Sequence, residues 1–338
     1  MPDNRERVVV TGSCGFLGSF LSERLLKEGY QVVGLDNFFR GEKRNLEILR
    51  EYGSQFEFFE VDLTKENEIP PETFRGASAV FHYAAINGTH HFYERPLEVL
   101  RVNAQGTLNI LEAAIRSSSV EKIVLASSCE VYGEPATIPT PEDAPCVVPD
   151  LSNPRYSYSV SKMIGESYLL WFAKKYGIDY LIFRIFNTYG PRMDSSSYGQ
   201  VIPEFIRKLF FEKEFTMIGD GSQRRSFCYV DDHVELVFRA FQKLKNETLN
   251  VGNNKELSIL ELAAMLHKLI NRPFNYSSSE ERLGDIKRRS PDITKIVSKT
   301  GYLPQVSLED GLAKTLEWFA EKWHQQLGHI APIPKLGA

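Results

Sequence analysis

The sequence predicts an α/β fold in which a doubly wound parallel sheet carries a smaller, discontinuous α/β lobe. Short runs rich in β-branched residues alternate with amphipathic segments through the first half of the chain. This alternation is typical of a parallel sheet with helices on both faces. A glycine-rich turn joins the first run to the first amphipathic segment, and after Phe186 the pattern changes to loops and short elements.

The elements follow from these patterns in chain order. Six segments are predicted as strands: 7–11, 31–36, 56–61, 79–83, 122–127 and 179–184. Apolar residues at spacings of three and four predict helices between them, at 16–29, 97–117 and 156–177, and later at 203–213, 231–243, 259–270 and 308–324. We expect residues 1–186 and 226–252 to form the first domain, residues 187–225 and 253–330 the lobe, and residues 331–338 a tail.

Composition excludes several classes of protein. The 338 residues include 40 Lys and Arg against 44 Asp and Glu, a formal net charge of −4, and show no basic stripe, so a nucleic-acid partner is not expected. Four scattered cysteines without CxxC spacing argue against a metal site and against a disulfide framework, and favour a reducing cytoplasm. Neither a signal peptide nor an apolar run long enough to span a membrane is present, so no membrane association is expected.

The segment VVVTGSCGFLG, residues 8–18, predicts a dinucleotide site. Glycines let the backbone turn tightly and approach a pyrophosphate, while the following helix offers free N–H groups. The cofactor-binding candidates in this segment are Gly12, Gly15, Phe16, Leu17 and Gly18.

Two carboxylates in the first half are candidates for the adenosine end of the cofactor. Asp36 lies at the end of the second predicted strand, where a carboxylate binds the ribose hydroxyls and repels a 2′-phosphate, which favours NAD over NADP. Arg40 is close enough in sequence to accommodate such a phosphate and argues the other way. Asp62, after the third strand, is expected near the adenine.

Tyr158 and Lys162 are four residues apart in YSVSK and share a face of a predicted helix. An adjacent ammonium group, together with a cationic nicotinamide, lowers the pKa of a phenol, so Tyr158 would take the proton of a sugar hydroxyl while hydride leaves for NAD. Ser128, at the end of the fifth predicted strand, offers a hydroxyl for the same substrate oxygen.

Five ordered motifs carry a resemblance: TGxxGxxG, SSCEVYG at 127–133, YxxxK, FRIFNTYGPRM at 183–193 and GDGSQRRSFCYVDD at 219–232. Together they resemble the extended short-chain dehydrogenases/reductases of the NAD-dependent nucleotide-sugar epimerase/dehydratase family, over residues 7 to 319. The resemblance implies a Rossmann-type nucleotide domain and a nucleotide-diphosphate sugar, with UDP favoured, that is oxidised at C4. It also implies that Asn187 contacts the sugar diphosphate and that Arg225 and Arg289 clamp it.

The remaining candidates surround these motifs. On the cofactor side they are Asn37, Gly41, Leu63, Ala84, Ala85, Asn103 and Ser127. On the substrate side they are Asn87 and Thr89 in the loop after the fourth predicted strand, Val201, and Thr216 near the base.

The triplet Ser128-Cys129-Glu130 bears on the reaction that follows oxidation. In this family 4,6-dehydratases typically have Thr-Asp-Glu, UDP-glucuronate decarboxylases Thr-Ser-Glu and UDP-galactose 4-epimerases Ser-Ala-Thr, so this chain matches none. Because a 4-keto group acidifies the C5 hydrogen, Glu130 would act as base and Cys129 as the acid for the leaving hydroxyl. The triplet also resembles the Thr-Cys-Glu of the tunicamycin-pathway UDP-N-acetylglucosamine 5,6-dehydratase. We therefore predict that dehydration follows the oxidation at C4, and we prefer this reaction to the alternatives.

Three alternatives stay open. The segments FFRGEKRN at 38–45 and RRSPD at 288–292 resemble those of UDP-glucuronate decarboxylases. If this chain is a decarboxylase, Cys129 would be a small buried residue without a chemical role. A 4-epimerase needs Tyr158 and Ser128 but does not explain Glu130. A dinucleotide-binding regulator without catalysis would commonly have lost Tyr158 or Lys162, and both are present.

Two further expectations concern the segments around the site. His90 and His91 lack a third ligand at metal-binding spacing, so we predict a loop beside the active site there. The predicted helices 97–117 and 156–177 resemble those of the family's four-helix dimer interface, which implies a homodimer.

Overall fold

The structure is a computed structural model that describes residues 6–194, 200–280 and 286–327. The tail predicted at 331–338 lies outside these residues. The strands are β1 (Arg7–Thr11), β2 (Gln31–Asp36), β3 (Phe56–Glu60), β4 (Ala77–His82), β5 (Lys122–Ser128), β6 (Asp179–Ile185), β7 (Thr188–Tyr189), β8 (Thr216–Ile218), β9 (Arg224–Ser226), β10 (Cys228–Tyr229), β11 (Glu247–Val251), β12 (Glu256–Ser258), β13 (Ser277–Ser279) and β14 (Arg288–Arg289). The helices are α1 (Phe16–Lys27), α2 (Lys43–Arg50), α3 (Thr89–Glu94), α4 (Pro96–Ser117), α5 (Ser157–Tyr176), α6 (Val201–Phe211), α7 (Val230–Lys243), α8 (Ile259–Leu269), α9 (Thr294–Thr300) and α10 (Leu308–Leu327).

Seven parallel strands form the main sheet, in the order β11-β6-β5-β4-β1-β2-β3. The chain builds outward from β1 in one direction to β3 and then from β4 in the other. This reversal between β1 and β4 opens a crevice at the carboxyl ends of the strands, the usual ligand site of such sheets. The Rossmann-type α/β fold predicted from the sequence is thus confirmed.

Helices cover both faces of the sheet because its central strands are apolar on both sides. On one face Leu21 and Leu25 of α1 belong to the same buried core as Val237 of α7. On the other face Ile110 of α4 and Leu169 of α5 are fully buried against the sheet. The catalytic candidates on α5 are therefore held on a helix that the core fixes in place.

The lobe has its own apolar core and three small sheets. β9 pairs with β12 and β14, β8 pairs with β13, and β7 pairs with β10. The core joins α6, α8 and α10 through side chains such as Phe205, Leu266 and Phe319. The capping box of Ser258 and Glu261 fixes the start of α8.

The structure corrects several sequence-based predictions. The main sheet has a seventh strand, β11, which the sequence did not reveal because Asn250 interrupts its short apolar pattern. Asn250 is fully buried, and the Tyr132 hydroxyl donates a hydrogen bond to it. The predicted loop at His90 and His91 is wrong, since both lie in α3. Ile296 of α9, in the predicted lobe range, packs into the core of the main sheet instead.

Candidate active site

A cavity of about 650 Å³ lies at the carboxyl ends of the strands, between the main sheet and the lobe. Its walls contain every cofactor and substrate candidate predicted from the sequence except Asn103 and Thr216. The Oδ1 of Asn103 accepts from the Ile86 amide at 2.7 Å, so this residue shapes the wall from behind. Thr216 pairs with Ser277 at 3.1 Å between β8 and β13.

The glycine-rich turn brings the backbone close to this cavity. Gly12 has a φ of +69°, and a Cβ atom there would lie 2.8 Å from the Ala84 amide nitrogen. A Cβ at Gly18 would lie 2.0 Å from the Gly12 carbonyl oxygen. Only glycine fits at both positions, and the turn leads directly into α1. The N–H groups at the start of this helix can therefore hold a pyrophosphate.

Asp36 stands at the end of β2 with its carboxylate fixed by backbone amides. Oδ2 accepts from the Cys14 amide at 2.9 Å and Oδ1 from the Phe38 amide at 2.8 Å. Burial raises the pKa of Asp36, and these backbone hydrogen bonds oppose the rise. The adjacent Arg40 donates from Nη2 to Asp194 Oδ2 at 3.0 Å, so its charge is compensated by a carboxylate from beyond β7.

Tyr158 and Lys162 lie in the first turns of α5, both buried. Lys162 Nζ donates to the Ala126 carbonyl oxygen at 2.7 Å and lies 5.6 Å from the centre of the Tyr158 ring. Burial lowers the pKa of Lys162 to about 8, against the opposing influence of Glu166. The pKa of Tyr158 is raised by burial and by Glu130, so the lowering expected from Lys162 is not achieved by the chain's own residues.

Glu130 lies just after β5 and forms ion pairs with arginines from two other segments. Arg289 of β14 donates from Nη1 to Oε1 at 2.5 Å and from Nη2 to Oε2 at 3.1 Å. The Nη2 of Arg155 lies 3.9 Å from Oε2. Burial alone would raise the pKa of Glu130, but Arg289 and Arg155 bring it down to about 2. Arg289, expected to clamp the sugar diphosphate, is thus engaged with Glu130.

Cys129 lies at the edge of the cavity with only 5% of its surface exposed. It packs with Val131, Tyr132 and Phe186 in a small apolar cluster. Burial raises the pKa of the Cys129 thiol, which keeps the sulfur protonated near neutral pH.

Behind the cavity wall a buried ion pair fixes Ser127. The Ser127 hydroxyl donates to Glu166 Oε1 at 2.5 Å. Arg184 of β6 donates from Nε to the same oxygen at 3.1 Å and from Nη2 to Glu166 Oε2 at 2.8 Å. The side chains of Arg184 and Glu166 are 10% and 8% exposed.

The structure also reveals cavity residues that the sequence analysis missed. The ring of Phe92 in α3 stacks on Tyr158, with centres 4.9 Å apart and planes inclined by 15°. Arg155 stands three residues before Tyr158, a helical spacing that could have placed both on one face. Nothing in the sequence pairs Glu130 with Arg289, because 159 positions separate them.

No group of three or more His, Cys, Asp or Glu side chains stands where it could hold a metal ion in residues 6–194, 200–280 and 286–327. Over the same ranges, no helix combines the length and apolarity needed to span a membrane.

Comparison with known proteins gives a consistent picture. A family described as the NAD dependent epimerase/dehydratase family matches residues 8–252. A UDP-N-acetyl-alpha-D-glucosaminuronate decarboxylase of Bacillus cytotoxicus is 36% identical over 327 residues, which cover 94% of this chain and 98% of that protein.

Two solved structures share the architecture. The UDP-glucose 4-epimerase of Thermotoga maritima, with UDP-glucose, superposes with a TM-score of 0.85 at 30% identity, covering 94% of this chain and 99% of that one. An NAD-dependent NDP-hexosamine 5,6-dehydratase involved in tunicamycin biosynthesis superposes with a TM-score of 0.82, covering 94% and 98% of the two chains. At 24% identity this second likeness shows the fold alone.

Proposed function

Because the chain belongs to the NAD-dependent epimerase/dehydratase family, we propose that it decarboxylates a UDP-linked hexuronic acid after transient oxidation at C4. NAD is the cofactor of this family, whose members are nucleotide-sugar epimerases, dehydratases and decarboxylases. The finer choice among these reactions is our proposal. It departs from the dehydration that the triplet Ser128-Cys129-Glu130 suggested and adopts the decarboxylase alternative.

The observation that carries this choice is the pairing of Glu130 with Arg289. Dehydration of a 4-keto sugar needs a base to remove the C5 hydrogen, and an effective base has a pKa near the working pH. With a pKa of about 2 and both oxygens bound by Arg289, Glu130 is a poor base. A 4-keto hexuronate needs no such base. Its C5–C6 bond breaks to release carbon dioxide, and the electron pair passes to the C4 carbonyl as an enolate that is then protonated at C5.

The residues around the cavity fit the cofactor and the first step. The tight turn at Gly12 and Gly18 brings the start of α1 to the cavity, where its free N–H groups would hold a pyrophosphate, and Asp36 would bind a ribose. Bound NAD supplies the oxidant that accepts a hydride from C4 and returns it at the end. Tyr158 acts as a phenolate, which the charge of Lys162 and of the bound nicotinamide would stabilise. It takes the proton of the C4 hydroxyl and becomes the neutral phenol.

The substrate side of the cavity supports a nucleotide sugar. Arg225 of β9 and Asn187 line it, and the Asn187 Nδ2 donates to the Ser226 carbonyl oxygen at 3.1 Å, which fixes that side chain. A guanidinium at Arg225 suits a diphosphate oxygen. The similar decarboxylase from Bacillus cytotoxicus acts, by its name, on a UDP-linked hexuronic acid, which supports uridine as the base.

The test is to incubate the purified protein and NAD with a panel of UDP-sugars and to measure the product masses by mass spectrometry. The panel is UDP-glucuronic acid, UDP-N-acetylglucosaminuronic acid, UDP-glucose and UDP-N-acetylglucosamine. We expect loss of carbon dioxide from one of the two acids. Loss of water from a neutral sugar would overturn the proposal in favour of dehydration, and an isomer of unchanged mass would favour epimerisation. If no substrate of the panel is converted although NAD is bound, the result would favour a dinucleotide-binding regulator without catalysis.

Dehydration remains the second candidate because Cys129 lines the cavity directly beside Glu130. If the thiol is the acid of an elimination, Cys129→Ser abolishes dehydration but leaves transient NAD reduction intact. Under decarboxylation the same variant keeps its turnover, since Cys129 then contributes only packing.

We also propose that the protein is a cytoplasmic homodimer joined through α4 and α5. Large apolar side chains on these helices face outward: Leu97 is 80% exposed and Trp171 is 64% exposed. Burying them against a second copy would be favourable. Sedimentation at micromolar concentration should show a dimer, and a monomer alone would reject this assembly.

A further inference from the structure

Residues 190–194 form a short segment that directly follows β7, and we call this segment the strap. Its Met193 is only 2% exposed and belongs to the apolar core of the lobe. The neighbouring Arg192 and Asp194 instead form ion pairs with elements next to the main sheet. All three residues line the cavity. The strap therefore joins the lobe to the main-sheet side of the cavity.

The first attachment joins Arg192 to α1. The Nη2 atom of Arg192 donates to Glu23 Oε2 at 2.6 Å, and these side chains are only 11% and 17% exposed. The guanidinium carbon of Arg192 lies 4.2 Å from the centre of the Phe20 ring. Burial alone would raise the pKa of Glu23, but Lys27 and Arg192 lower it, so Glu23 is ionised near neutral pH.

The second attachment joins Asp194 to the loop after β2. Arg40 Nη2 donates to Asp194 Oδ2 at 3.0 Å, and the two side chains are 20% and 28% exposed. The same loop packs on the glycine-rich turn, because the Glu42 amide donates to the Cys14 carbonyl oxygen at 3.0 Å. Asp36, the candidate for the ribose, immediately precedes this loop. The strap is thus fixed at the expected adenosine side of the crevice.

The strap bridges the two elements that are expected to hold NAD. Gly15 and Gly18 at the start of α1 are candidates for the pyrophosphate, and Asp36 at the end of β2 is the candidate for the ribose. These residues line the same cavity as Arg192 and Asp194. One ion pair ties the strap to α1 and the other ties it to the loop after β2, so both must break before the strap can move away from the crevice.

We propose that the strap retains NAD in the crevice, and that release of the cofactor requires the Glu23–Arg192 and Arg40–Asp194 ion pairs to break. This inference uses the cofactor of the family and is independent of the reaction that follows oxidation. Under the proposed function, the hydride taken from C4 is returned by the same NADH. Release of NADH before that return would leave the sugar oxidised, so slow release keeps the two redox steps on one cofactor.

Charge alone predicts the opposite effect of a substitution at Asp194. Asp194→Asn removes a negative charge beside an anionic dinucleotide and frees Arg40 to attract it, so without a strap the cofactor would leave more slowly. With a strap, the same substitution opens one of its two attachments and the cofactor leaves faster. The direction of the change therefore distinguishes the two explanations.

The experiment measures cofactor release by stopped-flow mixing of the NADH-loaded protein with excess NAD, and follows the loss of NADH fluorescence. We expect Asp194→Asn and Glu23→Gln each to speed release about threefold to tenfold, the range for one partly buried ion pair. The double variant should speed release about 10- to 100-fold, because the two attachments are separate. Salt should speed release from the wild type more than from the double variant, since it screens the intact pairs.

The matched control is Glu235→Gln. Glu235 forms an ion pair with Arg24 of α1 that includes no strap residue, and its side chain is 16% exposed. This variant weakens the attachment of α1 to α7 but leaves the strap intact, so it should release NADH at the rate of the wild type. Release as fast as in the strap variants would show that α1 as a whole has loosened and would overturn the inference.

Slower or unchanged release from folded Asp194→Asn would also overturn it, and circular dichroism establishes the fold. If Asp194→Asn does not fold, Glu23→Gln decides by the same criterion at the other attachment. No sugar is added, so the outcome is separate from that of the proposed function. Faster release from the strap variants sustains the strap even if the wild-type protein releases no carbon dioxide from a hexuronate.

Discussion

The buried ion pair between Glu166 and Arg184 yields a prediction whose size can be worked from the structure. Replacing Glu166 with Gln removes one charge of a pair in which both side chains are about nine-tenths buried. Removing one partner of a buried pair typically costs about 3–5 kcal/mol, because the other charge stays desolvated. The amide oxygen of Gln still accepts one hydrogen bond from Arg184, so we expect a loss near the lower end, about 3 kcal/mol.

Urea unfolding followed by circular dichroism measures this loss by linear extrapolation. The matched control is Glu57→Gln, which breaks the ion pair with Arg7 at 2.7 Å, where the side chains are 47% and 23% exposed. An exposed pair contributes about 0–1 kcal/mol, so the control should change the free energy of unfolding little. Equal losses in the two variants, or a loss below about 1 kcal/mol for Glu166→Gln, would refute the reasoning.

The same variant carries a second readout in its pH profile. Glu166 opposes the burial that lowers the pKa of Lys162 to about 8. Without that carboxylate the pKa of Lys162 falls further, so the charge that supports Tyr158 is lost at lower pH. His82, whose own pKa the Lys162 charge depresses, and Arg184 remain in place. We expect the alkaline limb of the plot of reaction rate against pH to move to lower pH in Glu166→Gln. If Glu166 has only a structural role, the alkaline limb stays at the pH of the wild-type protein.

Three further predictions follow from the cavity. Gly18→Ala should abolish NAD binding in a fluorescence titration, because its Cβ would lie 2.0 Å from the Gly12 carbonyl oxygen; retained binding would contradict the close approach. Asp194→Asn should raise the affinity for NADP relative to NAD by roughly tenfold in the same titration, because Arg40 loses its ion pair, and an unchanged ratio would count against it. The pKa of Glu130 is depressed from 4.5 to about 2, so its ionised form stabilises the fold above pH 4.5 and that contribution is lost as the pH falls toward 2. The stability gap between wild type and Glu130→Gln should therefore close over that range in urea unfolding, and a constant gap would disprove it.

The sheet was predictable because most of its strands have a recognisable local sequence pattern. Five of the first six carry an unbroken apolar or β-branched run, and in β3 Glu57 interrupts a run of phenylalanines. The glycine-rich turn after β1 indicates which edge of the sheet would bind the cofactor. Strand β11 was not predictable because the partners of Asn250, the Tyr132 hydroxyl and the Thr140 carbonyl oxygen, come together only in the folded chain. A local pattern cannot show that a buried polar residue is satisfied.

The same distinction applies to the candidate active site, where local spacing identifies some residues and contacts distant in sequence determine the properties of others. Tyr158 and Lys162 are recognisable because four residues separate them on one helix. The state of Glu130 was not recognisable, because its acidity depends on Arg289 in a distant part of the chain. The sequence therefore indicated which residues meet at the cavity but not that Arg289 lowers the pKa of Glu130.

The ion pair between Glu130 and Arg289 has a consequence for how such enzymes diversify. The dinucleotide crevice is encoded by residues before position 252, the stretch that the family match covers, whereas Arg289 enters from beyond it. Substitutions in the later stretch can therefore change the pKa of Glu130 while the crevice and Tyr158 stay unchanged. Under the proposed function, replacing this one cation would change the reaction at C5 and leave the oxidation at C4 intact.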